Sequence, residues 1–191
     1  MDKVQIINSA KEYIKDIFKN ESTGHDKEHT MRVYRNALLI AKEYPNCDLF
    51  IVEIAALLHD VDDHKLFDHP NNENARAFLK EQNIKEEQIE RICDVINEIS
   101  FSKNKDKKPT SLEAMIVQDA DRLDAIGAIG VARTFAYGGR NCRPLESSIK
   151  HFYEKLLLLK DKMNTEVGKK LAEERHQFLI NFLSEYSKET K

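Results

Sequence analysis

Helix-breaking residues are scarce: six glycines and four prolines in 191 residues. Most lie between segments of regular apolar spacing, which favours helices over a turn-rich β architecture. No stretch alternates apolar and polar residues well enough to predict a half-buried strand. Cysteine is also sparse. Cys47, Cys93 and Cys142 are widely spaced, odd in number and form no CxxC pair, which argues against a disulfide framework and for a reducing compartment. Long apolar runs are missing: "IAALL" and "LLLL" are far too short to span a bilayer. The amphipathic opening "MDKVQIINSAKEYIKDIFKN" lacks the unbroken apolar core of a signal peptide. The expectation is a cytoplasmic protein with no membrane partner. Nor is there an excess of one charge. Thirty basic against 33 acidic residues give a net charge of −3, so stable nucleic acid binding is not expected without a local basic patch.

What remains is an ordinary globular composition, 41% hydrophobic and 33% charged, long enough for one packed domain. Apolar spacing predicts helices over about 4–18, 26–43, 49–59, 73–82, 86–100 and 112–123. The 112–123 pattern continues to about 137, and two last helices cover about 147–160 and 165–186. Asp26 is a candidate N-cap. The 49–59 segment is apolar nearly all round, interrupted only by Glu53, and so reads as a buried central helix. "GGRNCRP" reads as a loop, and 102–110 as a charged loop. With no repeat and no linker, the expected architecture is all-α: a single compact helical bundle over 1–191, with the C-terminal helices of 146–187 packed on the same domain.

Polar residues enter this apolar pattern at three places. In "GHDKEHTMRV", His25 and His29 are four apart and Arg32 follows three later, so they share a helix face if the helix has begun at His25. In "AALLHDVDDH", His59 and Asp60 end the buried helix, with Asp62, Asp63 and His64 crowded behind them. In "VQDADRLDAIG", Asp119, Asp121 and Asp124 punctuate an apolar helix around Arg122. Taken singly, each has a plain structural reading: a core histidine, a helix cap, a solvated acidic face. Taken together they supply oxygen and imidazole donors suited to Mn, Ni, Co, Fe, Zn or Mg, with no cysteine competing as a soft ligand. Adjacent residues diverge by about 100° on a regular helix, so His59 and Asp60 converge on one ion only where the helix is ending. "GAIGVA" has no preceding strand and is no dinucleotide fingerprint; Gly127, Ala128 and Gly130 fit close helix packing instead.

The order His29, His59-Asp60, Asp121 resembles the HD-domain metal-dependent phosphohydrolase superfamily. "GHDKEHTMRV", "AALLHDVDDHK" and "EAMIVQDADRLDAIGAIGVARTFAYGG" together resemble its small, single-domain bacterial nucleotide hydrolases, over core motifs spanning 23–144. The resemblance implies one divalent metal ion, held between central helices by His29, His59, Asp60 and Asp121. It implies Asp63 as the acidic residue that handles protons, and Asp119 as a residue orienting a ligand or Arg122 from behind. Arg32 and Lys65 beside the ligands are candidate catalytic cations. Arg122, Arg133 and Arg140 are candidate phosphate contacts, although a solvated-loop role suits Arg140 equally. His25 contacts phosphate, supports a ligand or merely begins the helix. Only His64 and His69 lie between the HD pair and the last aspartate, which favours one metal over two. Asp62 receives no role.

The implied chemistry is attack of metal-activated water on phosphorus. The implied activity is nucleoside or deoxynucleoside triphosphate pyrophosphohydrolysis, with a small-molecule nucleotide as substrate. A 5′-nucleotidase, or another phosphomonoesterase or phosphodiesterase, is the alternative enzyme, and a metal- or nucleotide-binding regulator the alternative class. The amphipathic helices allow a homodimer without demanding one.

Overall fold

The structure, a computed structural model, describes residues 2–19, 26–63, 71–99 and 108–190. His25, His64, Lys65 and most of the 102–110 loop lie outside them. The described residues form nine α-helices and contain no strand: α1 (Lys3–Ile17), α2 (Lys27–Ala41), α3 (Leu49–Leu58), α4 (Glu73–Glu81), α5 (Glu86–Ile99), α6 (Leu112–Asp124), α7 (Gly127–Arg140), α8 (Leu145–Glu154) and α9 (Glu166–Glu189). None is long and apolar enough to cross a membrane. The chain divides into two compact units, Met1–Gln118 and Asp119–Lys191.

In the first unit α3 is the hub, packed against α1, α2 and α5. From Phe50 to Leu58 every residue except Glu53 is buried, each large side chain contributing roughly 1.5–3 kcal/mol. Glu53 is accommodated by pairing: the Tyr34 hydroxyl donates to its Oε1 at 2.7 Å. Both helices that lead to the HD motif start on aspartate caps. Asp26 accepts from His29 N at 2.7 Å and Asp48 from Ile51 N at 3.4 Å, as helix starts require to satisfy their free N–H groups.

In the second unit the expected continuous helix over 112–137 is two helices. α6 stops at Asp124 and α7 begins at Gly127, whose φ of +73° lies in the left-handed region. Glycine adopts it without strain. A Cβ on Gly130 would stand 2.3 Å from the Ala125 carbonyl oxygen, so the corner closes only on a bare backbone. Arg175 Nη1 donates to Leu123 O at 2.6 Å, satisfying a carbonyl at the end of α6. Two further expectations are corrected. The loop at "GGRNCRP" begins only after Arg140, because Gly138 and Gly139 continue α7. The helix over 147–160 is α8, ending at Glu154, followed by 3₁₀ turns at Leu156–Leu158 and Lys160–Lys162. Phe135, Phe152 and Phe182 form an aromatic cluster among α7, α8 and α9, with centroids 5.6–6.0 Å apart.

The start of α9 is tied to α6 by one carboxylate. Asp119 accepts from Asn164 N (2.8 Å) and Nδ2 (2.9 Å), and from Thr165 N (2.8 Å) and Oγ1 (2.7 Å). Thr165 in turn caps α9, accepting from Gly168 N at 2.9 Å. Burial pushes the Asp119 carboxyl up while these donors and Arg122 pull it down, and burial prevails. A Cβ on Gly168 would lie 2.3 Å from Asp119 Oδ2 and 2.8 Å from Thr165 Oγ1. Gly168→Ala should therefore cost about 2 kcal/mol, read as a fall of about 4–8 °C in Tm; an unchanged melting curve would refute the required closeness.

Cys93, on α5, is fully buried, and burial with Glu90 nearby pushes its thiol up to about 11. Only about one thiol in a thousand is then ionised at pH 8. Native protein treated with iodoacetamide at pH 8 should label the exposed Cys142 and spare Cys93 until it is unfolded. Peptide mapping that finds Cys93 labelled as fast as Cys142 would contradict this.

Candidate metal centre

His29 lies in the first turn of α2, where the Asp26 cap receives its backbone N–H. His59 and Asp60 lie where α3 ends: Leu58 is the last helical residue, and residues 59–62 form a turn. That ending lets neighbouring side chains converge. His59 Nε2 is 3.4 Å from His29 Nε2, and Asp60 Oδ2 is 3.3 Å from each nitrogen. All three side chains are buried, with 2%, 3% and 9% of their surfaces accessible.

The hydrogen bond behind His59 decides what this cluster can hold. Its Nδ1 is 2.9 Å from the Ala56 carbonyl oxygen. A carbonyl only accepts, so Nδ1 carries a proton, and in neutral imidazole Nε2 then presents a lone pair. That lone pair faces a carboxylate oxygen and a second imidazole nitrogen across 3.3–3.4 Å. With His29 in the tautomer that leaves its Nε2 unprotonated, three buried donor atoms converge here, and a cation offsets their mutual repulsion. Two imidazoles and a carboxylate suit a divalent first-row metal, and the His59–Ala56 bond is the usual way a ligating histidine is held in its tautomer. The residues fit the metal.

The other carboxylates separate by their partners. Asp62 accepts from Asn74 N at 2.8 Å and Ala75 N at 3.0 Å, in the first turn of α4. Its role was invisible in the sequence because the partners lie 12 and 13 residues on; the one available signal was an aspartate ahead of an uncapped helix start. Asp63 is half-buried, with its N–H on Asp60 O at 3.0 Å. Arg32 is half-buried on α2, three residues beyond His29.

Within the second unit, Asp121 lies on α6, two residues beyond the occupied Asp119. Arg122 is buried and donates Nη1 to the Lys162 carbonyl; burial lowers its pKa, while Asp119 and Asp121 raise it. Arg133 pairs with the buried Asp124, Nη1 to Oδ2. Arg140 is exposed at the end of α7. His25 and Lys65 lie outside the described residues.

The chain belongs to the HD-domain family, whose model matches residues 27–126. It is thus a metal-dependent phosphohydrolase of the HD superfamily. The imidazole nitrogens of His29 and His59 belong to a group of donors able to hold a metal ion. The uncharacterized Bacillus subtilis protein YpgQ is 39% identical over 99% of this chain and 96% of its own length. A crystal structure of that protein in complex with ADP gives a TM-score of 0.86 at 37% identity, covering 99% and 97% of the two chains. An HD-superfamily hydrolase from Bacillus thuringiensis gives 0.81 at 39% identity, covering 98% of each.

A ligand that binds only the folded state stabilises it by about 2.7 kcal/mol at a hundred times its Kd. Saturating Co(II) or Mn(II) should therefore raise the Tm of chelator-treated protein, and Asp60→Ala should abolish the rise. A wild type whose Tm does not respond to any divalent metal would refute the centre.

Proposed function

We propose that this protein hydrolyses nucleoside or deoxynucleoside triphosphates to the monophosphate and pyrophosphate, at a single divalent metal ion held by His29, His59, Asp60 and Asp121. The observation that carries the hydrolytic reading is the convergence of two imidazole nitrogens and a carboxylate oxygen at the end of α3. The nucleotide reading is supported by the ADP bound to the Bacillus subtilis relative. The preference for pyrophosphate release rests on the similarity of the three motifs to small bacterial nucleotide hydrolases, and Asp121 enters the ligand set on the same ground.

A divalent ion in this position supplies Lewis acidity toward a phosphoryl oxygen and lowers the pKa of a water it binds. The chain's own residues do the rest. His29 and His59 orient their donor atoms from two helices, and the Ala56 carbonyl keeps His59 in the ligating tautomer. Asp63, three residues past Asp60, takes the proton of the attacking water and returns it to the leaving oxygen as the anhydride breaks. Arg32 offsets charge gathering on the equatorial oxygens. Arg122, Arg133 and Arg140 keep the phosphate-contact roles that the resemblance implies, with Arg122 and Arg133 oriented by the Lys162 carbonyl and the Asp124 carboxylate. His25 and Lys65 keep the phosphate-facing roles implied by the resemblance. Such a reaction needs no nucleic acid or membrane partner and suits a cytoplasmic protein.

Phosphate release measured with and without added inorganic pyrophosphatase separates the readings. Phosphate from triphosphates only with the helper enzyme is the expected result; direct release from monophosphates would establish a 5′-nucleotidase instead. A pure, metal-loaded protein inactive across the nucleotide panel would favour a binding regulator. Asp63→Asn should keep its metal and lose about 10²–10⁴ of the rate; unchanged kinetics would remove it from proton transfer.

A further inference from the structure

Asp62 is the aspartate in "HDVDD" to which the hydrolytic reading gives no task, yet both of its carboxylate oxygens are engaged. α4 begins at Glu73, and the residue in its N-cap position, Asn72, sits at φ +58° with no side-chain cap bond. Its amide is used elsewhere, donating Nδ2 to Asn97 Oδ1 at 3.0 Å. The second and third N–H groups of α4, those of Asn74 and Ala75, are the ones a capping side chain normally takes. They go instead to Asp62, one to each carboxylate oxygen, at 2.8 and 3.0 Å. The connection is returned: Asn74 Nδ2 donates to the Val61 carbonyl at 2.7 Å. Three hydrogen bonds therefore fasten residues 61 and 62 to the first turn of α4.

That fastening acts on the metal cluster. Residues 59–62 have left the helix and lack its regular hydrogen bonds, so their geometry must be set from outside. Val61 is fully buried and follows directly on Asp60. A shift of the Val61–Asp62 backbone would move Asp60 Oδ2 away from the two nitrogens it meets at 3.3 Å. The carboxylate charge of Asp62 also suits the positive end of α4, which strengthens the grip.

We propose that Asp62 is a positioning residue. Through its cap on α4, and with Asn74, it holds the His59–Asp60 turn in the metal-ligating arrangement. This inference rests on the metal reading given above.

The test is binding of Co(II) alone, followed by calorimetry and by the visible spectrum of the bound ion, on protein shown to be folded at the assay temperature. Asp62→Ala should raise the Co(II) Kd by about 10–100-fold, the range typical of residues that support ligands, and should change the spectrum. Asn74→Ala, which removes only the bond to Val61, should raise the Kd less. Arg76→Ala separates positioning from plain stability. It deletes the paired bonds from α4 to Glu90, at 2.7 and 2.6 Å, without touching Asp62, and should leave the Kd and spectrum unchanged. A folded Asp62→Ala that binds Co(II) like the wild type, or an equal loss in Arg76→Ala, overturns the inference and leaves the metal reading standing. A wild type that binds no Co(II) overturns both.

Discussion

The hydrogen bond from His59 Nδ1 to the Ala56 carbonyl oxygen decides the character of the centre. It spends the only proton of a neutral imidazole on the helix behind it and leaves a lone pair facing forward. With His29 Nε2 and Asp60 Oδ2 in front of that lone pair, the arrangement offers three donor atoms to a cation, which offsets the repulsion between the lone pair and the carboxylate. Such a site needs a rigid support, and α3 is suited to that. It is buried at every position from Phe50 to Leu58 but Glu53, so its final turn has packing on all sides and little freedom to relax away from the repulsion.

The three aspartates that follow His59 illustrate how neighbours of one chemistry take different work. Asp60 turns inward to the imidazoles, Asp62 turns to α4, and Asp63 stays half-exposed beside them. In each case the partner decides, since the residue type is constant. An acidic cluster that reads in the sequence as unrelieved repulsion is relieved by a cation-binding arrangement for one carboxylate and by helix N–H groups for another.

The helical class, the hub helix and the HD pair were legible because they depend on local periodicity and on unusual placement of polar residues. The 49–59 segment has almost no polar face, and its observed limits, Leu49–Leu58, differ by one residue. The corner between α6 and α7 was not legible. The residues Asp124, Ala125 and Ile126 carry no proline, and a continuous helix suits their spacing. The break depends on the positive φ of Gly127 and on the Ala125 carbonyl occupying the space a side chain at 130 would need, both tertiary facts. The two 3₁₀ turns after α8 were hidden for the same reason, since the run of leucines at 156–159 satisfies helical spacing whichever hydrogen-bond pattern is chosen.

The block "DADRLD" shows where sequence and structure must be read together. Its three aspartates alternate with apolar and basic residues and look equally able to bind a metal. The structure removes two of them from contention. Asp119 receives four hydrogen bonds from residues 164 and 165 and fixes the start of α9, and Asp124 is buried against Arg133. Either carboxylate would have to abandon a buried partner to bind an ion, leaving charge or hydrogen-bonding groups uncompensated at a cost of several kcal/mol. Asp121, between them, is the member of the block to which the resemblance to HD hydrolases gives the ligand role proposed above. The outer carboxylates of the motif therefore hold α6 in place, Asp119 against the start of α9 and Asp124 against Arg133 of α7.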